Sequence, residues 1–246
     1  MSINTLIKGL LGSSLLLLVG CSGNLISGSD VAISVAPGGT MAMTTVQSDL
    51  SDPNAPQWND VAEYQVDTLM APAVHQSVSL RVDPKAPSLP LKVKVASDGD
   101  KVLIRLRWRD ATDNSVNAYD RFSDGVAVQF ALQGGQQTSF MMGTQATPVN
   151  IWYWKAGSEQ AQNLAAGGFG STTKLDSQDV SATARYSAET AEWTVVLSRA
   201  ITSAGEHHVD LAAPMLVTFA VWQGDQKQRD GFKRISSGWI TVADAS

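Results

Sequence analysis

Cysteine is almost absent from this sequence, since Cys21 is the only one in 246 residues. An intrachain disulfide is therefore impossible, and so is a zinc or iron–sulfur site held by several cysteines. The CxxCH motif that attaches haem covalently is missing for the same reason. Any haem in this chain would have to be held without thioether links to the protein.

Charged residues are also scarce, at 17% of the sequence, and the formal net charge is -5. A protein that binds a nucleic acid backbone would favour a basic face, so this balance argues against nucleic acid as a partner. The acidic balance is consistent with an exported protein.

Familiar catalytic motifs are missing too, because the sequence contains no GxSxG, GxxxxGK or HExxH. Of the three histidines, His207 and His208 are adjacent in a predicted turn, where solvent exposure is expected. The acidic segment 110–125 could offer oxygen ligands to calcium, but it lacks the EF-hand spacing, and we predict a polar loop. The sequence therefore predicts no catalytic site of its own.

The N-terminus carries one basic residue, Lys8, a short apolar stretch at 15–19, and Gly20 before Cys21. This pattern predicts a bacterial lipoprotein signal peptide at 1–20, with Cys21 as the lipidated residue. The alternatives are a plain secretory signal or a signal-anchor helix, although the apolar stretch is short for a membrane span. We expect a lipid anchor on the periplasmic side of a bacterial membrane, the outer membrane more than the inner.

Beyond the signal, the segment 21–55 is rich in Gly, Ser, Thr and Ala, which predicts a flexible tether after the lipidated cysteine. Pro53 and Pro56 mark its end, and a folded domain is predicted for 56–246.

That domain is predicted to be all-β, an antiparallel β-sandwich, because short apolar runs alternate with turn residues along its length. The clearest strand is VLIRLRWRD, which places Ile104, Leu106 and Trp108 on one face and arginines on the other. Further strands are predicted in SVSLRV, LKVKVA, GVAVQFAL, SFMMG, VNIWYW, TAEWTVVLSRA, MLVTFAVW and KRISSGWITV.

Two segments interrupt the strand pattern. A short helix is possible around 158–164. The surrounding stretch 156–177 is rich in Gly, Ala, Ser and Gln, which favours a long loop, with a lid over a ligand pocket as the alternative.

Met141 and Met142 are consecutive, so on a strand only one of them can face a given pocket. From composition alone, core filling is the simpler interpretation for a methionine. Trp152, Tyr153 and Trp154 would likewise form a core and edge cluster.

The order of several motifs changes this interpretation. QWNDVAEYQV, RLRWRDAT, DRFSDGVAVQF, FMMGTQATPVNIWYWKAG and FAVWQGDQKQRDGFKRISSGWITV follow one another between Pro56 and Val242. In this order they resemble the haem-binding gamma subunit of ethylbenzene dehydrogenase, whose relatives are the gamma subunits of the dimethylsulfide, selenate and chlorate molybdenum enzymes. These belong with the type II dimethyl sulfoxide reductase family of enzymes.

The resemblance implies one non-covalent haem b in a pocket formed by long loops of the sandwich. Met142 and Lys233 match the family's axial ligands, with Met141 and Lys227 as the alternatives. It also implies an electron-transfer subunit that works with molybdenum catalytic and iron–sulfur subunits, or with another periplasmic redox protein.

The remaining expectations concern the surroundings of the haem. Trp152 and Trp154 are expected to form the pocket wall, with Met141 turned away, and Arg121 and Lys155 are candidates for the propionate partners. The lipoprotein signal departs from a family of soluble periplasmic subunits. Two other functions stay open, namely a carbohydrate-type binding module that uses the 152–154 aromatic residues as a platform, and a structural lipoprotein.

Overall fold

A computed structural model describes residues 32–73, 76–83, 85–116, 118–132, 135–212 and 214–245. The predicted signal peptide, Cys21, the first part of the tether and His75 lie outside the described residues. Within these ranges, no helix is long and apolar enough to cross a membrane.

The described residues form fourteen strands, a one-turn helix and two short 3-10 helices. In the first half of the chain the elements are β1 (Ile33–Ser34), β2 (Thr40–Thr45), the 3-10 helix Pro56–Asp60, β3 (Tyr64–Met70), α1 (Gln76–Ser79), β4 (Leu89–Ser97), β5 (Lys101–Arg109), β6 (Gly125–Ala131) and the 3-10 helix Gly135–Gln137. In the second half they are β7 (Val149–Lys155), β8 (Gln162–Ala166), β9 (Thr173–Lys174), β10 (Ser181–Ser187), β11 (Glu192–Ala200), β12 (Met215–Trp222), β13 (Arg234–Ser236) and β14 (Ile240–Asp244).

The strands build a sandwich of two layers, which confirms the predicted fold class. One layer runs β10-β11-β5-β4, and the other runs β14-β12-β6-β7-β8-β9, with mainly antiparallel pairing. Two connections join the layers, one through β2 between β4 and β14, the other through β3 and β13 between β4 and β12. The main hydrophobic core lies between the layers, where Trp154 of β7 meets Trp193 of β11 with ring centroids 5.2 Å apart.

Strand β5 shows why the layers face each other. Ile104, Leu106 and Trp108 are buried in the core, whereas Arg105 and Arg107 point outward and contact Glu63. The alternation predicted from VLIRLRWRD is therefore confirmed, because burying one face of a strand requires an apolar residue at every second position.

The outer face of the first layer is also covered. On the first layer, Leu50 and Trp58 pack against Ala96 and Leu103. Leu50 comes from the segment predicted to be a tether, and β2 within that segment buries Met41 completely. For residues 32–55 the prediction of a flexible tether therefore needs correction, since β1 and β2 pair with other strands and Met41 and Leu50 are buried.

Three local predictions also need correction. SVSLRV is α1 and a turn rather than a strand, and SFMMG is a turn that reaches from Ser139 to Gly143. The segment 156–177 is neither a helix nor one long loop, because β8 and β9 lie within it and continue the second layer.

Candidate functional site

A cavity of about 870 Å³ lies on the outer face of the second layer, on the side opposite the core. Its floor consists of the outward-pointing residues of four neighbouring strands, namely Ala127 and Gln129 of β6, Ile151 and Tyr153 of β7, Leu164 of β8, and Thr218, Ala220 and Trp222 of β12. A sheet face this apolar would be costly in water, so it must be covered by protein or by a ligand. The volume is within the usual range of cofactor and small-molecule sites.

One wall of the cavity is the turn that carries Met142. The buried amide of Gln129 donates to the Phe140 carbonyl at 2.8 Å, and the Trp239 indole donates to the Thr138 carbonyl at 2.6 Å. These bonds fix the turn to the sheet from below, while the backbone amide of Gly168 donates to the Met142 carbonyl at 2.8 Å. The turn is therefore anchored at several points along its length.

The backbone of this turn is strained at Met142. Its φ is 72°, in the left-handed region that a side chain with a Cβ rarely occupies. Gly143 follows with a φ of 68°, and a Cβ there would lie 2.8 Å from the Thr147 carbonyl oxygen. Strain of this kind persists where the surroundings impose it, and it is concentrated at functional sites.

The opposite wall ends in Lys233, just before β13. Its carbonyl accepts a hydrogen bond from the Ala71 amide at 2.8 Å, which fixes the backbone. The ammonium nitrogen Nζ lies 4.9 Å from the centre of the Trp222 ring and 3.7 Å from Sδ of Met142. The two side chains named from the sequence, 91 residues apart, thus meet inside the cavity.

The cavity changes the acidity of Lys233. Burial lowers the pKa of its amine from 10.5 to about 8, although the charge of Asp230 acts in the opposite direction. Burial also raises the pKa of Tyr153, on the cavity floor, to about 12, so its hydroxyl stays protonated at neutral pH. A soft sulfur and an amine that loses its proton readily are both potential metal ligands.

The rest of the lining combines aromatic rings with cationic side chains. Phe122, Phe140 and Phe169 join Tyr153 and Trp222 around the space. The other cationic side chains that line it are Lys155, Lys174 and Arg229. Such a cavity suits a flat apolar cofactor that carries carboxylates.

Some predicted site residues lie elsewhere. Trp152 and Trp154 point into the core from the other face of β7, so the expectation that they form the cavity wall is corrected, and Tyr153 takes that place. Successive residues of a strand point to opposite faces, which also means that residues 152–154 cannot present three rings as one carbohydrate platform. Met141 also lines the cavity, because a turn does not impose the alternation expected of a strand.

The alternative ligand Lys227 lies outside this cavity. Its amine contacts Asp120, with Nζ 2.8 Å from the carbonyl oxygen and 3.1 Å from the carboxylate. Of the two candidate propionate partners, Lys155 lines the cavity and Arg121 does not.

Gln129 and Trp222 are site contacts that the sequence analysis did not predict. Their signal was the nearly continuous apolar character of β6 and β12, which is interrupted at Gln129 and Thr218 and is typical of strands covered on both faces.

The acidic segment 110–125 supports the fold instead of forming a separate ion site. The buried carboxylate of Asp124 accepts hydrogen bonds from the amides of Asn114 and Gly224 and from the Trp193 indole, at 2.8 to 2.9 Å. Burial, and next the charge of Asp124, raise the pKa of Asp110 to about 7. Among the residues that the structure describes, no three His, Cys, Asp or Glu side chains converge as metal ligands.

The pair of histidines also differs from the prediction. Only 5% of the His208 side chain is exposed, and its Nδ1 lies 4.0 Å from the Asp179 carboxylate. Burial lowers the pKa of His208. The prediction of two solvated histidines is therefore wrong for His208, which the fold buries close to the fully buried Arg199.

Comparison with known proteins gives consistent results. Residues 55–176 match the family model described as ethylbenzene dehydrogenase. The chain is 41% identical to the gamma subunit of dimethylsulfide dehydrogenase from Rhodovulum sulfidophilum, over 77% of this chain and 74% of the relative. It is 30% identical to the gamma subunit of chlorate reductase from Ideonella dechloratans, over 97% and 98% of the two chains.

A third relative is a candidate respiratory nitrate reductase haem subunit from Haloferax mediterranei, 34% identical over 75% of this chain and 65% of the relative. Among solved structures, a candidate carbohydrate-binding protein from Bacteroides uniformis superposes with a TM-score of 0.50 and 9% identity, covering 83% of this chain and 99% of that one. At that identity, the superposition shows a shared fold alone.

Proposed function

Because the chain belongs to the gamma-subunit family of the type II dimethyl sulfoxide reductase enzymes, we propose that it binds one non-covalent haem b and carries single electrons. Met142 and Lys233 are the axial ligands in this proposal. The observation that carries it is the 3.7 Å approach of Met142 Sδ to Lys233 Nζ inside a cavity lined by aromatic side chains.

The residues present fit this cofactor. A thioether sulfur is an established ligand of haem iron, and it raises the reduction potential. An amine can bind a metal only after it loses its proton, and burial has already lowered the pKa of Lys233 to about 8. The cationic side chains of Lys155, Lys174 and Arg229 would face the two carboxylates of a haem.

The chain's own residues define what the site can do. When bound, the haem supplies one-electron chemistry, and the protein sets its potential through the ligands and the polarity of the pocket. Met142 and Lys233 would both hold the haem iron, so the metal would be bound by two side chains of this chain. The proposed role is therefore electron transfer, without a catalytic site on this chain.

Partner and location are further parts of the proposal. The dimethylsulfide dehydrogenase and chlorate reductase relatives are each a gamma subunit, which supports molybdenum catalytic and iron–sulfur subunits as partners here. The small residue and cysteine at Gly20 and Cys21 support a lipid anchor on the periplasmic side of a bacterial membrane. This combination would hold the electron carrier near a membrane.

The test is to load the purified full-length chain with haem and record its spectra and reduction potential. We expect a low-spin haem in the parent protein, and loss of that spectrum in both Met142→Ala and Lys233→Ala. Lys227→Ala is the matched control, because this lysine lies outside the cavity and should leave the spectrum unchanged.

Met141→Ala distinguishes between the two sulfur atoms that line the cavity. If Met141→Ala instead of Met142→Ala removes the low-spin spectrum, the sulfur ligand is Met141. A parent chain that binds no haem under any loading condition would overturn the proposed function as a whole.

A further inference from the structure

We propose that the cleft beside the cavity is a docking face for the acidic surface of a protein redox partner. The docking face consists of Arg81, Tyr119, Phe122, Lys227 and Arg229, which line an open cleft of about 850 Å³. This inference rests on the proposed haem function, because it assigns the place where an electron enters or leaves that cofactor.

The cleft has more basic than acidic side chains. The cleft is lined by three basic residues, Arg81, Lys227 and Arg229, and by one acidic residue, Asp120, in a chain with 18 basic and 23 acidic residues. The cleft therefore carries net positive charge on an otherwise acidic protein. Localised charge of this kind attracts and orients an oppositely charged partner, so the partner's contact surface should be acidic.

The cleft also presents an exposed aromatic side chain on a hydrogen-bonded turn. Tyr119 is completely exposed, at 101%, and it is followed by Asp120 with a φ of 63°. The turn is closed by backbone hydrogen bonds between Ala118 and Arg121, and the amine of Lys227 donates to the Asp120 carbonyl at 2.8 Å. Tyrosine and arginine are enriched among the residues that dominate binding energy in protein interfaces.

The cleft adjoins the cavity, because the two share lining residues. Phe122 and Arg229 line both the cleft and the cavity, and the Arg229 guanidinium lies 4.8 Å from the centre of the Phe122 ring. A partner bound in the cleft would thus be separated from the cofactor cavity by a single wall of side chains.

These features favour a protein over a lipid surface. A concave cleft accepts a protruding part of a folded partner, whereas a membrane is nearly flat on this scale. Tyrosine and arginine together are also enriched in protein interfaces. Binding of the cleft to anionic lipid is the competing outcome of the test.

The experiment measures electron transfer to the haem-loaded full-length chain in a stopped-flow instrument. The probe is a reduced plant-type ferredoxin, an acidic protein with a potential near about -400 mV, so its cluster is oxidised as the haem is reduced. The parent rate should fall steeply as the ionic strength rises from about 10 mM to about 200 mM, because salt screens the attraction.

The variant Arg81→Gln/Lys227→Gln removes two charges of the docking face without touching the cavity lining. We expect its rate with ferredoxin to be lower by about fivefold or more at low ionic strength, with a weaker dependence on salt. Tyr119→Ala should raise the ferredoxin concentration needed for saturation by about tenfold.

The matched control is Lys101→Gln/Arg185→Gln, which removes one ion-paired lysine and one exposed arginine from the other layer. It should keep the parent rate. Hexaammineruthenium(II), a small cationic reductant, should reduce the haem of every variant at least as fast as that of the parent.

The outcomes separate the two proposals. A chain that takes up no haem overturns the proposed function and the docking face with it. A chain that binds haem normally, but whose docking-face and control variants react equally fast with ferredoxin, overturns the docking face alone. Co-sedimentation with phosphatidylglycerol vesicles that requires Arg81 and Lys227, combined with unchanged ferredoxin rates, assigns the face to a membrane and also overturns the proposal.

Discussion

Replacing Lys233 by methionine should stabilise the haem-free protein, although it removes a proposed ligand. In the folded chain the pKa of this amine falls from 10.5 to about 8, mainly because of burial. One pKa unit corresponds to about 1.36 kcal/mol, so the buried charge costs roughly 3 kcal/mol of folding free energy below pH 8. Lys233→Met removes this cost and keeps a side chain of similar length.

The sign of the pH dependence follows from proton binding. Between pH 8 and pH 10.5 the unfolded chain binds more protons at Lys233 than the folded chain does, so the stability of the parent rises with pH in that window. At pH 9.5 the remaining cost is roughly 1 kcal/mol. The advantage of Lys233→Met should thus shrink by about 2 kcal/mol between pH 7 and pH 9.5.

The assay is urea unfolding of the haem-free chain at both pH values, followed by tryptophan fluorescence. The change in advantage with pH is the diagnostic quantity, because a difference in packing between lysine and methionine does not titrate. Lys227→Met serves as the control for loss of one positive charge on the surface. The reasoning is refuted if Lys233→Met is less stable than the parent at pH 7, or if its advantage is the same at both pH values.

Three further predictions test the architecture around the site. Gln129→Leu leaves the Phe140 carbonyl without its hydrogen-bond donor, so it should lower the free energy of unfolding in urea by about 1 to 3 kcal/mol. It should also shift the haem potential, because the Met142 turn is loosened. An unchanged potential would mean that other contacts hold the turn. Gly143→Ala should lower the free energy of unfolding by about 2 kcal/mol or more, because φ is positive at this position and a Cβ would press on the Thr147 carbonyl. A urea midpoint equal to that of the parent would contradict this geometry. Trp152→Leu should lower the free energy of unfolding by about 2 to 4 kcal/mol and leave the haem spectrum unchanged, because the Trp152 ring packs in the core. A changed spectrum would place the Trp152 ring at the cofactor.

The fold class was predictable because most strands carry one strong signal. In β5 the alternation of apolar residues with Arg105 and Arg107 leaves a single way to place the strand in a half-buried sheet. The helix α1 and the Met142 turn were mistaken for strands, because short apolar runs fit either structure and nothing local distinguishes them. The segment of β2 was mistaken for a tether, since its pairing partners lie about 200 residues away in β14.

At the site, sequence reasoning named Met142 and Lys233, and the structure brings these two side chains together. That success came from resemblance, because composition alone favoured core filling for the methionine. The failure concerned the faces of β7. The prediction places Trp152 and Trp154 at the pocket wall, whereas the pleat directs Tyr153 to the cavity and these two neighbours to the core.

The pairing of β2 with β14 determines when the protein can finish folding. Thr40 lies opposite Thr241 in the sheet, so this contact closes a loop of about 200 residues, and contacts of such high sequence separation form slowly. Lys233 precedes β14 by only a few residues, and β13, which follows Lys233 directly, completes the second connection between the layers. On a growing chain, the Met142 turn would therefore be synthesised well before the lysine that faces it. The proposed cofactor site would be assembled only after Lys233 and β14 have been synthesised, so haem would be loaded after the pairing of β2 with β14.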